Sequence, residues 1–192
     1  MTTFDFDDGN GPVPAHKHPN GGGWVADTAT VDETAYVEAE AQVYGDARVF
    51  GNARVYDNAR VYDNARVYGK ADVYGNAQVY NNAVVADDAQ VYGNAKVFGN
   101  ALVCSDAQVL GNTRVYDNAL VCDTARVLGN ARVLGNAQVS GNARVYNNAW
   151  VLGSAQVYDN ALIFGDAMVY NKARVYNKAR VHGNALIFEE RK

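Results

Sequence analysis

Three histidines and two cysteines are the residues of this chain with the widest chemical reach. His16 and His18 form an H-x-H pair near Asp5, Asp7 and Asp8, side-chain types that ligate cations when a fold fixes them. The surrounding FDFDDGNGPVPAHKHPNGGG is rich in Gly, Pro and Asp and fixes no such geometry, so it reads as a polar, solvated cap without metal. His182 stands most of the chain away, so one subunit cannot gather three His for a catalytic zinc. Beside Arg180, His182 is placed to act as a general base only against a neighbouring subunit of a trimer. The chain has no Ser-His-Asp set, no Gly-rich phosphate loop and no Cys-rich metal spacing, so no catalytic residue and no cofactor is expected.

The elements that position these residues are set by a repeat. An aliphatic residue falls at every sixth position from Val25 to Ile187, twenty-eight in all, each Val except Ile163 and Ile187. Two residues before each, from position 29 to 185, stands Ala, with Thr113 the one exception. A helix turns by about 100° per residue, so six-residue steps would scatter the valines around its circumference. In a strand, Ala and Val two apart share one side of the pleat, and β-branched Val suits extended backbone. The Gly, Asp or Asn after each short strand tolerates positive φ, so the chain turns there. Three such units close a triangle, and successive coils stack as parallel strands about 4.8 Å apart. The predicted fold is all-β: a single-stranded parallel β-helix of about nine coils, on the order of 45 Å long at that spacing.

The aliphatic ladder (Val43, Val49, Val55 and onward) and the small residue two before it (Ala41, Ala47, Ala53) resemble the hexapeptide-repeat proteins. That resemblance implies a left-handed, triangular coil. Right-handed coils of similar period exist in bactofilin-like proteins, so the spacing itself leaves the hand open. Where the family often has Gly after the aliphatic residue, this chain has mostly Tyr, Phe or Leu. The chain is also similar to bacterial and phage repeat proteins of the YdcK type, through Gly22–Val25 (GGWV) and runs close to ARVYGNA, such as Ala53–Ala59. Hexapeptide enzymes are mostly acyltransferases, and the likeness to an acetyltransferase-like label implies a trimer with intersubunit clefts as the second functional reading. That reading lacks loop insertions to build a cleft, and it rests on analogy of fold.

Residues 1–22 are non-repetitive, 23–188 form the solenoid and 189–192 a charged tail, EERK, that discourages edge pairing without covering the last coil. That coil is expected to be covered by another chain or weakly protected. A net charge of −4 argues against general nucleic-acid or anionic-membrane binding. No apolar run approaches the ~18 residues of a membrane span. The acidic start, MTTFDFDDGN, lacks a secretory pattern, so a cytoplasmic place is expected, or a virion for a phage protein.

Twelve of thirteen tyrosines follow the aliphatic residue, giving ladders such as Tyr44, Tyr62 and Tyr80, and Tyr56, Tyr74 and Tyr92. Arg often precedes it (Arg48, Arg54, Arg60, Arg66), and Arg beside Tyr is a pattern that can hold single-stranded nucleic acid. Corner aspartates (Asp57, Asp63, Asp117, Asp159) offset that field, so a solvated face is the favoured reading. Flat Thr ladders of the ice-binding kind are absent. On one face Val84, Leu102 and Leu120 replace Arg, beside Ala86, Cys104 and Cys122. This apolar strip is the candidate interface, with self-association the expected use. The two cysteines fall on adjacent coils there and are expected to remain thiols. The leading expectation is a non-catalytic structural or interaction rod: a spacer, a phage or envelope component, or a self-assembling subunit.

Overall fold

Strands of two residues are stable because, away from the rod's ends, each is hydrogen-bonded on both sides by the coil before and the coil after. The computed structural model describes residues 2–189, and these form a three-sided parallel β-solenoid. The valines fall in turn on three sheets, and every parallel partner lies eighteen residues away, for example Val85 with Val103 and Val103 with Val121. The first sheet carries Val25, Val43, Val61 and onward to Ile187; the second begins at Val31 and the third at Val37. Ten solenoid strands of the first sheet, at ~4.8 Å per interval, make a rod about 43 Å long.

Inside the coils, Ala and Val fill the prism. From Ala35 to Val169 all of these are essentially without solvent contact, and they form one continuous core. The amides flanking each valine donate to carbonyls of the next coil, as Val84 N does to Ala101 O (2.9 Å) and Ala86 N to Val103 O (2.9 Å). The corner joins in, with Asn82 N donating to Gly99 O at 2.8 Å. Stability is therefore a sum of coil-to-coil contacts, as expected of a one-dimensional array.

The corner residue after each aromatic position is left-handed: φ is 55° at Asp57, 56° at Asp63 and 72° at Gly93. Gly takes this conformation freely, whereas Asp is strained there. Aspartate is repaid by a bond. Its Oδ2 accepts the otherwise open corner amide of the next coil, in Asp57 to Gly75 (3.0 Å), Asp63 to Asn81 (3.0 Å) and Asp123 to Gly141 (2.8 Å). One residue further on, asparagines form amide ladders along the rod edge, such as Asn94 to Asn112 (2.9 Å) and Asn112 to Asn130 (3.1 Å).

The N-terminal segment is more ordered than its composition suggests. Strands β1 (Thr3–Phe4) and β2 (Val13–Lys17) pair antiparallel, and β2 pairs antiparallel with β3 (Trp24–Ala26), extending the first sheet. The expected polar cap has its own apolar centre: Phe6 and Ala15 are buried against Ala26 and Tyr44. The Phe6 ring stacks on Tyr44 (4.7 Å between centroids) and so occupies the end of the aromatic column that Ala26 vacates. Beyond β2 the chain crosses the third sheet, where Gly23 N donates to Val37 O and Val37 N to Asn20 O. A Cβ at Gly21 or Gly23 would collide with the Val37–Glu38 backbone, which is why this crossing is made of glycine. Val25 and Val37 are buried beneath these segments, while Val31, on the uncovered second sheet, keeps partial solvent contact.

At the other end, Leu186 (57 % exposed) and Phe188 (44 %) leave apolar surface in water. Of the four tail residues, Glu190, Arg191 and Lys192 lie outside the described residues.

Candidate functional site

The outer surface follows from the same register, because each outward position stacks on its counterpart eighteen residues on. On the second sheet the column reads Thr30, Arg48, Arg66, Val84, Leu102, Leu120, Gln138, with Val84 paired to Leu102 and Leu102 to Leu120. The three apolar residues predicted from spacing thus lie together on one face, each half-buried by its neighbours in the column. Ala86 is buried, so it lies beneath the strip and contributes little accessible surface.

Cys104 and Cys122 lie beside this strip with Cα atoms 4.7 Å apart, joined as a disulfide. The expectation of two free thiols is corrected here. Parallel in-register pairing places the two Cα atoms within the range a disulfide spans.

The third sheet carries a polar groove of about 460 Å³ lined by Arg54, Lys70, Asp72, Asp88, Gln90 and Gln108 among others. Arg54 donates from Nε (2.7 Å) and a terminal nitrogen (2.6 Å) to the two oxygens of Asp72, a bidentate pair. These bonds raise the guanidinium further above its usual range. Asp72 is almost wholly buried in this pair. Lys70 and Asp88 are 3.9 Å apart on the exposed rim, and Gln108 donates to Gln90 at 3.2 Å. The groove's polar groups are thus largely spent on one another.

Aromatic columns run along the rod. Tyr44, Tyr62, Tyr80, Phe98 and Tyr116 form one continuous series, with centroids 4.8 to 4.9 Å apart and planes within 4°. Tyr56, Tyr74 and Tyr92 form another at 4.7 Å. Within these columns the ring faces are turned to each other. A base or sugar would need a free ring face, so the Arg and Tyr pattern offers few stacking platforms for nucleic acid. Desolvation raises the pKa of Tyr44, Tyr62, Tyr74 and Tyr80, and that of Tyr56 to about 12, with Asp72 and Tyr74 adding to the last.

The histidines do not converge. His18 is buried in the cap, where its Nε2 donates to Ala35 O at 3.0 Å, and His16 pairs through Nδ1 with Asp27 Oδ1 at 2.8 Å on the surface. His182 stacks on Phe164 (5.2 Å), which also receives Arg180 at 5.6 Å. Among the described residues no group of three or more His, Cys, Asp or Glu is placed to hold a metal, and no helix is long and apolar enough to cross a membrane.

Residues 41–57, 53–69, 59–75, 89–105, 137–153 and 155–171 match the family model described as YdcK Beta solenoid repeat. These segments are similar to β-solenoid repeats of the YdcK type. No curated protein and no solved structure matches the chain. The YdcK-type segments include Leu102 and Cys104, while Leu120 and Cys122 fall between two of them. The functional features that sequence reasoning missed are the Arg54–Asp72 pair and the apolar centre of the hairpin. Each had a signal: the one Asp in its column, eighteen residues after Arg54, and the alternation Phe4, Phe6 and Val13, Ala15 around DDGNG.

Proposed function

We propose that this chain is a non-catalytic structural rod that associates with a second copy of itself through the apolar strip of its second sheet. The observation that carries this reading is Val84, Leu102 and Leu120, three apolar residues in register in a column otherwise made of Thr30, Arg and Gln. A second copy is the occupant best matched to it, since an identical rod repeats the same rows at the same spacing. A two-fold contact lays the strip against itself, the isologous arrangement commonest among homo-oligomers. The corners support the structural side of the reading. Across the described repeats they turn without a loop leaving the coil, so binding energy goes into a uniform surface. The stacking of His182 on Phe164 supports it too, because that ring is engaged in the aromatic column.

The rival acyltransferase reading gives the test. Acetyl-CoA titrated into the full chain in a calorimeter is expected to give no saturable heat. Saturable binding that is lost in His182→Ala would overturn the structural reading and favour a catalytic oligomer.

A further inference from the structure

We propose that Cys104 and Cys122, once reduced, form a two-coordinate thiolate site for a soft monovalent cation of the copper(I) class. The scaffold sets the geometry. Both cysteines follow a valine of the second sheet, Val103 and Val121 are direct parallel partners, and the two Cα atoms are 4.7 Å apart. Side chains in the same rotamer on such a pair keep their sulfurs near the ladder spacing. With the zinc–thiolate length of ~2.3 Å as a guide, two thiolate–metal bonds laid end to end span ~4.6 Å. A linear S–metal–S unit therefore fits between the coils without moving the backbone.

The surroundings select the kind of ion. The same column continues to Ala86 on one side and Ser140 on the other, and the outward residues preceding the cysteines are Leu102 and Leu120. Among the described residues no group of three or more His, Cys, Asp or Glu is placed to hold a metal. Zinc, which takes four ligands in structural sites, is poorly served by two sulfurs on an apolar strip. Thiolate ligands select soft ions, copper(I) foremost. Both cysteines are half-buried, so in the single chain the pair is reachable from solvent while its flanks are apolar.

The disulfide gates the site. A dithiol reductant supplies two electrons and two protons, breaking the Sγ–Sγ bond to give two thiols while the reductant becomes its own disulfide. Copper(I) then displaces both thiol protons and forms two metal–sulfur bonds, with no change in its oxidation state. Exchange of the emptied dithiol with a disulfide oxidant, which takes up the two electrons and two protons and leaves as its own dithiol, restores the Sγ–Sγ bond and closes the site.

The test is anaerobic competition for copper(I) between the reduced full chain and a chromogenic chelator. The reduced chain is expected to withdraw one equivalent per chain, with X-ray absorption showing two sulfur neighbours. The oxidised chain is expected to withdraw none until a dithiol is added. Cys104→Ser and Cys122→Ser should each abolish the withdrawal, and their circular dichroism should match the parent, because Ser140 already occupies this column. Failure of the reduced chain to compete would overturn the proposal, as would uptake that survives either substitution. Uptake of half an equivalent with two chains per metal would overturn it as well, because the sulfurs would then come from different chains.

Discussion

Removing the central rung of the longest aromatic column measures what the stacking contributes. Tyr80 lies between Tyr62 and Phe98, 4.9 Å from each, with planes 2° and 4° apart. These separations exceed the ~3.5–4.0 Å optimum for carbon–carbon contact, so parallel rings can touch only when slid sideways. That is the offset arrangement aromatic pairs prefer, worth about 0.5–1.5 kcal/mol per pair beyond area burial. Tyr80→Ala removes two such contacts, about 2 kcal/mol, in addition to the lost burial. Tyr116→Ala removes one, with Phe98 at 4.8 Å, because Leu134 is the next residue of that column. Both tyrosines are half-buried, so the burial losses are similar and the two variants should differ by about 1 kcal/mol. Tyr80→Phe should be close to neutral, since Phe98 already serves in the same column. Urea midpoints followed by circular dichroism at unchanged slope give the comparison. Equal losses for Tyr80→Ala and Tyr116→Ala would refute the argument that stacked faces, rather than buried area alone, stabilise the column.

Three further outcomes follow from particular residues. Thr113 is wholly buried and its hydroxyl has no hydrogen-bond partner, which costs about 1–3 kcal/mol. Thr113→Ala restores the repeat and should raise stability by about 1 kcal/mol after loss of the methyl contact, read as a higher urea midpoint. Asp63→Ala keeps a left-handed corner while losing the bonds to Asn81, so it should destabilise by about 1–2 kcal/mol. Asp63→Gly should be milder because glycine removes the strain; equal effects of the two variants would contradict the corner account. Tyr56, raised to about 12 from an unfolded value near 10, stays neutral in the folded rod while the unfolded chain has already lost its proton. Its contribution is complete below pH ~10 and is lost as pH rises from there through about 12. Ionisation followed by ultraviolet absorbance should lag that of free tyrosine across this window; ionisation near 10 with the fold intact would contradict it.

The solenoid was legible because one residue type at one spacing does one task. Val at every sixth position places each valine over the one eighteen residues earlier, and every pairing of the second sheet obeys that count. The apolar strip was legible for the same reason, since register converts spacing into contact. The hairpin over the first coil was not. Its residues follow no period, and Phe6 has meaning only beside Tyr44, a neighbour distant in sequence. The role of the corner aspartates was hidden likewise, because turn chemistry explains Asp locally while its oxygen serves the next coil. The disulfide depended on the sulfur positions of two adjacent side chains, a detail below the resolution of a repeat pattern.

Self-association through the second sheet is tested most directly by light scattering across a wide protein concentration range. The parent chain is compared with the double variant Leu102→Lys, Leu120→Lys. The account predicts a mass that rises reversibly with concentration in the parent and stays at that of one chain in the variant. The same mass in both proteins, or a closed trimer that persists in the variant, would contradict it.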